Sequence, residues 1–381
     1  MRFLHCADIH LDMPFCSPGM SFEMSSERRD DLKETFRTII QTAKKENVDA
    51  VLISGDLYEH DYVKKSTLTF VNECFKEIPE IRVFIVPGNH DPNTVNSFYN
   101  NFKWAENVSI LTNENPYVVL EDLKTCIYGV GFRNFYEEKS LIYELKPGKQ
   151  EYVNILMAHG TVDMNIKKSM YNPMDSSNLI CLGMDYIALG HFHNRIENMG
   201  GYGIIYNPGS PEPLGFDEPG DHGIFLGEII RTESGDKKLN LSFVKTNRKS
   251  YENIEVNIDG AGSDQQVVEN LRKTIKPEEF RDKLVCITLK GYVNPDYKVS
   301  AYRVLSNLRD ECFYMKLKDE TKPDYDFDRI MNEPGIKGVF TRKLVDLMEK
   351  TSDEYEKKML QKALYYGIEA LEHGSVRITE G

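Results

Sequence analysis

The sequence predicts an α/β protein that begins with a parallel sheet. Three short apolar runs, typical of buried strands, alternate with two longer segments in which apolar residues recur at helical spacing. Successive strand, helix and strand segments form neighbouring parallel strands joined by a right-handed crossover. The pattern therefore places the carboxyl ends of these strands at one edge of the sheet, where α/β proteins bind ligands.

The predicted elements follow in order along the chain. The opening sheet takes strands at residues 2–7, 50–54 and 82–86 and helices at 26–46 and 62–77. Shorter strands are predicted at residues 117–120, 125–130, 152–158, 186–189, 203–206, 223–230 and 239–246. A small α+β unit follows, with strands at 251–258, 283–291 and 312–317 and a helix at 264–275. The apolar spacing of residues 340–372 predicts two helices or one interrupted helix.

The composition excludes several classes of protein. Of the 381 residues, 40% are hydrophobic and 28% are charged, the balance of a soluble globular protein. The first residues resemble a strand, not a signal peptide, and no apolar run reaches the roughly 20 residues that span a bilayer, so no membrane partner is expected. Seven scattered cysteines without a Cys-x-x-Cys pair predict reduced thiols and a cytoplasmic location. The net charge of −13 argues against unspecific coating of nucleic acid, but bound cations can reverse the sign locally.

Polar side chains gather where the predicted strands end. The stretch Gly88-Asn89-His90-Asp91 follows the strand at 82–86; by itself it can be a simple turn. The candidates at strand ends are Asp8, His10, Asp56, Asn89, His90, His159, His191 and His193. A lone histidine at a strand end is usually a packed polar residue, whereas five of them with two aspartates and an asparagine are typical of a metal site.

The types of these side chains indicate which chemistry they support. Carboxylate, amide oxygen and imidazole ligands without a thiolate suit Mn²⁺, Fe²⁺ or Zn²⁺. A carboxylate can bridge two ions about 3.5–4 Å apart, and such a pair activates water and holds phosphate oxygens. The sequence therefore predicts metal-assisted hydrolysis of a phosphoester.

Five motifs resemble those of the calcineurin-like metallophosphoesterase superfamily. They are Asp8-Ile9-His10, Gly55-Asp56, Gly88-Asn89-His90-Asp91, His159-Gly160 and Gly190-His191-Phe192-His193. The resemblance implies one metal ion held by Asp8, His10, Asp56 and His193. It implies a second ion held by Asp56, Asn89, His159 and His191.

The same resemblance implies a mechanism and a choice of metal. A hydroxide that bridges the two divalent ions is expected to attack phosphorus. His90 is not a ligand in this arrangement; it is expected to stabilise the transition state or to protonate the leaving oxygen. The expected ion is Mn²⁺, with Fe²⁺, Zn²⁺ or Mg²⁺ as alternatives.

Within the superfamily the chain resembles the SbcD-type DNA repair exonucleases. The motif Gly55-Asp56-Leu57-Tyr58 lacks the continuation found in protein phosphatases, and residues 206–216 resemble the segment after the last ligands of these nucleases. The start, residues 7–15, resembles the YhaO-like branch. The resemblance implies a four-layer α/β/β/α metallophosphoesterase sandwich with a small α+β cap domain and a C-terminal helical tail. The expected bounds are 1–247 for the nuclease domain, 248–320 for a DNA-capping domain, 321–338 for a linker and 339–381 for the helices.

The implied function is that of a metal-dependent DNA exonuclease and endonuclease. It would process DNA ends or double-strand breaks with an SbcC-type coiled-coil ATPase docked on the helices at 339–381, and it would form a homodimer through residues 62–77 and 98–104. Two alternatives remain open. One is a phosphoesterase for a nucleotide or cyclic diester, which would use the same metal site, and the other is a scaffold that binds DNA ends without hydrolysis.

Two further carboxylates lie beside the motifs. Glu59 and Asp91 are predicted to orient neighbouring site residues, Glu59 acting on His90, as outer carboxylates do in metal sites. For Glu59 a solvated loop acid is the alternative.

Overall fold

The structure, a computed structural model, describes residues 1–142, 145, 148–164, 168–232, 235–374 and 376. The chain divides into two compact units, Met1–Tyr251 and Glu252–Gly381. Among the helices in the described ranges, none is both long enough and apolar enough to cross a membrane.

The first unit is built from two sheets and the helices that cover them. Its strands are β1 (Arg2–Cys6), β2 (Ala50–Ser54), β3 (Arg82–Val86), β4 (Val108–Ile110), β5 (Tyr117–Leu120), β6 (Thr125–Gly129), β7 (Val153–His159), β8 (Tyr186–Gly190), β9 (Ile205–Tyr206), β10 (Gly223–Arg231) and β11 (Lys237–Lys245). Its helices are α1 (Phe22–Lys45), α2 (Lys65–Lys76), α3 (Phe98–Asn101) and α4 (Ser176–Ile180), with a 3₁₀ turn at Met199–Gly201.

Both sheets are mixed and largely parallel. The first has the order β11-β10-β1-β2-β3-β4, and the second has the order β5-β6-β7-β8-β9. Strands β1 to β4 run parallel, as do β6 to β9. The predicted parallel strands with helical crossovers are therefore confirmed, and the carboxyl ends of β1, β2 and β3 lie at one edge.

Alternating side chains build the layers. On β2, Ile53 packs with α1 and α2 residues such as Phe36 on one face of the first sheet. The preceding Leu52 points the opposite way and packs with Ile155 of the second sheet, because neighbouring strand residues face opposite sides. The outer face of the second sheet packs against Leu179 of the short helix α4. The predicted four-layer sandwich is confirmed.

The second unit has its own sheet and core. Its strands are β12 (Ser250–Asn257), the first two residues of which belong to the first unit, β13 (Lys283–Lys290), β14 (Tyr292–Val293), β15 (Tyr314–Asp319) and β16 (Lys322–Pro323). Its helices are α5 (Asp264–Thr274), α6 (Pro277–Phe280), α7 (Ala301–Asn307), α8 (Phe327–Asn332), α9 (Ile336–Lys350) and α10 (Glu354–His373). The main sheet has the order β12-β13-β15. Residues such as Val267, Ile287 and Val304 form its core.

The segment 321–338, for which the sequence predicts a linker, contains β16 and α8. Tyr325 and Ile330 in this segment are buried with Ile368 of α10. The prolines and acidic residues around them conceal this short apolar pattern. The first unit ends at Tyr251, whereas the sequence places the first boundary at 247.

The helical segment at the carboxyl end consists of two helices. They are separated at residues 351–353, and the Asp353 side chain caps α10 by accepting a hydrogen bond from the backbone N–H of Tyr355 at 2.9 Å. Residues 375 and 377–381 of the predicted range 339–381 lie outside the described residues.

Candidate metal centre

The ends of five strands, three from the first sheet and two from the second, converge on one site. The residues that they contribute are Asp8 and His10 after β1, Asp56 after β2, Asn89 and His90 after β3, His159 at the end of β7, and His191 and His193 after β8. The side chain of His90 is 44% exposed, whereas that of Asp56 is 1% exposed. The carboxylate at the centre of the site is therefore buried, whereas His90, together with the partly buried His191 and His193, lies towards its open side.

The potential ligand atoms form three overlapping groups, each within 4.8 Å. The groups are Asp8, His10 and His193; His10, Asp56 and His90; and Asp8, Asp56 and His159. The remaining two candidates lie against them, since Asn89 Oδ1 is 3.0 Å from His159 Nε2 and 3.1 Å from His191 Nδ1. The structure thus brings together all eight strand-end residues that the sequence singles out.

His10 carries a buried nitrogen that needs a partner. Its Nδ1 donates to Glu59 Oε1 at 2.7 Å, so the neutral ring presents a lone pair at Nε2. That Nε2 has no hydrogen-bond partner among the described residues, and it lies 3.6 Å from Asp56 Oδ2. A lone pair that faces a carboxylate oxygen in a buried site fits a divalent cation.

His159 presents the same arrangement. Its Nδ1 donates to the carbonyl oxygen of Ser54 at 2.8 Å, and its Nε2 faces Asn89 Oδ1 and, at 3.2 Å, Asp56 Oδ2. Burial acts to lower the pKa of His159, but Asp56, Asp8 and the hydrogen bond to Ser54 together outweigh burial and raise the pKa to about 9. The electrostatic potential around His159 is therefore negative, and the oxygen and nitrogen atoms that meet there favour binding of a cation.

The backbone of the site is unusual. Asp8, His10, Asp56 and His191 have φ angles of 53°, 49°, 53° and 101°. Residues other than glycine seldom adopt positive φ, and such strain is concentrated at functional sites. Gly55 also has a positive φ, and a Cβ there would lie 2.3 Å from His159 Nδ1. The turn after β2 therefore requires glycine beside the histidine.

Glu59 joins two of the histidines. Its Oε1 accepts the hydrogen bond from His10, and its Oε2 lies 3.0 Å from His90 Nδ1. Burial acts to lower the pKa of His90, but the hydrogen bond to Glu59 and the nearby charges of Asp56, Glu59 and Asp91 together outweigh burial and raise the pKa to about 9. His90 also lines a cavity of about 280 Å³ with Phe135, Tyr136 and Tyr171. Glu59 is thus held by the site and is not a freely solvated loop acid.

Asp91 points away from the cavity. Its buried carboxylate accepts hydrogen bonds from the backbone N–H groups of Gly88, Asp56 and Leu57, at 2.6, 3.2 and 2.6 Å. It also accepts one from the Tyr99 hydroxyl at 2.6 Å. Asp91 therefore ties the turn after β3 to the turn after β2.

Sequence reasoning missed one carboxylate of the site. Glu218 Oε1 accepts a hydrogen bond from His193 Nδ1 at 2.7 Å, and Glu218 is 3% exposed. The residue lies in a loop 25 positions after its partner, so no periodic pattern marks it. The one available signal was its position two residues beyond the segment 206–216, which resembles the nuclease family.

Comparison with known proteins gives matches over this region and beyond. Residues 1–195 match the family model described as calcineurin-like phosphoesterase. An uncharacterized metallophosphoesterase, YhaO of Bacillus subtilis, is 26% identical over 298 residues, which are 76% of this chain and 71% of that protein. The DNA double-strand break repair protein Mre11 of Methanopyrus kandleri is 27% identical over 375 residues, 88% of this chain and 76% of that protein. These matches confirm the family resemblance that the motifs indicate.

Proposed function

Because this chain belongs to the calcineurin-like phosphoesterase family, we propose that it is a metal-dependent DNA exonuclease and endonuclease that hydrolyses phosphodiester bonds at DNA ends. The observation that carries the proposal is the buried His10 Nε2, which faces Asp56 without a hydrogen-bond partner in the described part of the chain. The likeness to proteins named for the repair of DNA double-strand breaks supports DNA as the substrate.

Two divalent ions would occupy the cluster. The first would be held by Asp8, His10, Asp56 and His193, and the second by Asp56, Asn89, His159 and His191. Mn²⁺ is our expected ion because the set mixes carboxylate, amide and imidazole donors. When bound, the ions supply an activated water and positive charge for the phosphate oxygens.

His90 would act on the substrate directly. Its ring lies at the open side of the cluster, and Glu59 accepts a hydrogen bond from its Nδ1 at 3.0 Å. Its backbone N–H donates to Asp56 Oδ1 at 2.8 Å, which fixes the residue relative to the ligand that would bridge the ions. A proton held at His90 Nε2 can therefore be given to the leaving oxygen or shared with a phosphate oxygen.

The cavity beside His90 suits a nucleic-acid substrate. Phe135 and Tyr136 at its rim are 38% and 56% exposed. Exposed aromatic rings stack with nucleobases, with little regard to sequence. A chain end could thus place a base against these rings while its phosphate faces the metal cluster.

The proposal includes partners and a location. An SbcC-type coiled-coil ATPase would dock on α9 and α10, which expose apolar side chains such as Val339, Leu347 and Met359. A homodimer would form through residues 62–77 and 98–104, and sedimentation as a monomer at micromolar concentration would contradict it. We propose that the protein acts in DNA repair and is located in the cytoplasm. All seven cysteines are free thiols in the structure, which agrees with a reducing compartment.

The test is nuclease activity of the purified full chain. A labelled linear duplex and bis-p-nitrophenyl phosphate, a small diester, are incubated with Mn²⁺ and either the wild type or His90→Asn. We expect the wild type to degrade the duplex, and we expect the variant to lose about 10²–10⁴-fold in rate because general acid–base groups contribute that much.

The two substrates separate the alternatives. Cleavage of the small diester with the duplex left intact, alone and with the ATPase present, would overturn the DNA substrate and favour a nucleotide or cyclic diester. Binding of DNA ends without hydrolysis of either substrate would favour a scaffold. Equal rates for wild type and His90→Asn would contradict the role of His90.

A further inference from the structure

We propose that residues 207–218 form a clasp that fixes His193 as a metal ligand, and that Glu218 is the positioning residue of this clasp. The inference rests on the proposed function, since it takes His193 to be a ligand. It gives a role to the segment 206–216, which the family resemblance marks but to which the mechanism assigns none.

Glu218 is itself held rigidly. One oxygen, Oε1, accepts the hydrogen bond from His193 Nδ1 at 2.7 Å. The other, Oε2, accepts hydrogen bonds from the Ser210 hydroxyl at 2.6 Å and from the Leu214 backbone N–H at 3.0 Å. A buried carboxylate with both oxygens occupied cannot rotate without losing a partner.

This contact selects which nitrogen of His193 faces the site. The carboxylate keeps the proton on Nδ1, so the lone pair of the neutral ring lies at Nε2. A ligand atom of His193 lies within 4.8 Å of ligand atoms of Asp8 and His10. His10 is held in the same way, with its Nδ1 2.7 Å from Glu59. Both histidines proposed for the first ion are thus oriented by carboxylates.

The backbone of the clasp holds the turn that carries His193. Ser210 N–H donates to the carbonyl oxygen of His193 at 2.9 Å. The Asn207 side-chain amide donates to the flanking carbonyl oxygens of Phe192 and Asn194, at 2.6 and 3.1 Å. At Gly209, which has a φ of 78°, a Cβ would lie 2.4 Å from the His193 carbonyl oxygen. The clasp therefore forms hydrogen bonds with the backbone at His193 and on both sides of it, and with the imidazole ring of His193.

The experiment measures metal binding directly. Mn²⁺ is titrated calorimetrically into the full chain, stripped of metal, as wild type and as Glu218→Gln. Glutamine fills the same space, but its amide can donate to Nδ1 and so permit the wrong tautomer. We expect two sites in the wild type, and one of them weakened about 10–100-fold in the variant, the usual effect of losing an outer partner of a ligand. The control is Asp221→Asn, which removes an exposed carboxylate paired with Lys245 outside the clasp.

A second readout separates positioning from misfolding. Hydrolysis of bis-p-nitrophenyl phosphate by Glu218→Gln should recover at high Mn²⁺ concentration, because the lost affinity is offset by mass action. If Glu218→Gln does not fold, Ser210→Ala, which removes one support of Oε2, should weaken the same ion by a smaller factor.

The outcomes are distinguishable. If Glu218→Gln binds Mn²⁺ at two sites with wild-type affinity, the clasp is overturned and the proposed function still stands. The same holds for Ser210→Ala if Glu218→Gln does not fold. A wild type that binds no Mn²⁺ would overturn both. Weakening of one site, with Asp221→Asn unchanged, supports the clasp.

Discussion

The carboxylate of Asp91 accepts a hydrogen bond of 2.6 Å from the backbone N–H of Leu57, and this contact joins the turns that follow β3 and β2. The same carboxylate accepts a second one of 2.6 Å from the Gly88 N–H. Because Asp91 is fully buried, water cannot replace its carboxylate as the acceptor for these backbone N–H groups. The spacing between the site residues Asp56 and Asn89 therefore depends on a side chain that does not touch the cavity.

The first prediction concerns Asp91→Asn. An amide places a donor group where the carboxylate accepts, so at least one buried N–H loses its partner. We expect the free energy of unfolding to fall by about 1–3 kcal/mol and Mn²⁺ binding to weaken. Urea unfolding with a chelator and calorimetric titration measure the two effects. Asp30→Asn, an exposed change on α1, should change neither the free energy of unfolding nor Mn²⁺ binding. An unchanged urea midpoint for Asp91→Asn would contradict the role of Asp91 in joining the two turns.

The second prediction concerns Glu59→Gln. Glu59 accepts hydrogen bonds from His10 and His90, so its loss frees a proposed ligand and the proposed acid together. We expect kcat for the small diester to fall about 10–100-fold at saturating Mn²⁺, because outer partners of metal ligands contribute that much. Glu73→Gln, an exposed change on α2, is the control. Wild-type kcat in Glu59→Gln would show that neither histidine depends on this contact.

The third prediction concerns the close approach at Gly88. A Cβ on this residue would lie 2.2 Å from Asp56 Oδ1 and 2.6 Å from its backbone nitrogen. Gly88→Ala must therefore push the turns apart, which we expect to cost about 1–3 kcal/mol of unfolding free energy and to weaken metal binding. Gly148→Ala is the matched control, since its Cβ would meet only Tyr128 Oη at 3.8 Å. Equal stability of the two variants would contradict the prediction.

Local sequence patterns account for the central strands of the site. The bounds of β2 and β3 agree with their prediction because fully buried parallel strands are continuous apolar runs, flanked here by polar turns. Their shared edge then brings Asp56 and Asn89 together, as the sequence predicts. Short elements such as α4 have no comparable signal, since a helix of five residues forms only through tertiary contacts like that of Leu179.

Contacts between distant loops are the part that the sequence cannot predict. Glu218 contacts His193 because the clasp folds back over the end of β8. No sequence pattern relates the two positions. The helix α8 was missed for a related reason. Within this helix of six residues, Ile330 is buried and Phe327 packs partly buried on the same cluster, and two apolar residues in so short a helix do not form a period.

The fourth prediction concerns a buried ion pair in the first unit. Glu212 is 1% exposed and lies 2.7 Å from Arg28 Nη1, and it also accepts from the Arg248 backbone N–H at 2.6 Å. Removing one partner leaves a buried charge uncompensated, which costs about 3–5 kcal/mol. Asp31 also pairs with Arg28, at 2.8 Å, so we expect Glu212→Gln to lie near the lower value.

Urea unfolding of Glu212→Gln checks this value against an exposed pair. Glu34→Gln on α1 breaks the contact with Arg37, whose side chain is 41% exposed. Exposed pairs contribute about 0–1 kcal/mol, so this control should change stability little. A loss for Glu212→Gln as small as that of the control would show that Asp31 alone neutralises Arg28.

The fifth prediction concerns His5, a fully buried residue of β1. A carbonyl oxygen can only accept, so His5 Nε2 must donate to Leu189 O at 3.0 Å, and Nδ1 then accepts from the Tyr186 hydroxyl at 2.9 Å. Both partners suit the neutral ring. Burial lowers the pKa of His5 from 6.5 to about 3, the hydrogen bond to Leu189 opposing this only in part.

The sign of the pH effect follows from these two pKa values. Above pH 6.5 the ring is neutral in both states, and His5 contributes no pH dependence. Between pH 6.5 and about 3 the unfolded chain takes up a proton that the folded chain does not, so stability falls as the pH falls, by up to about 1.4 kcal/mol per pH unit. From pH 7.5 to 5 the wild type should therefore lose about 2 kcal/mol through this residue. His5→Gln cannot ionise and therefore lacks this loss. The difference in unfolding free energy between wild type and variant, measured by urea unfolding with a chelator, should change by that amount between the two pH values. The same difference at both pH values would mean that the buried ring does accept a proton.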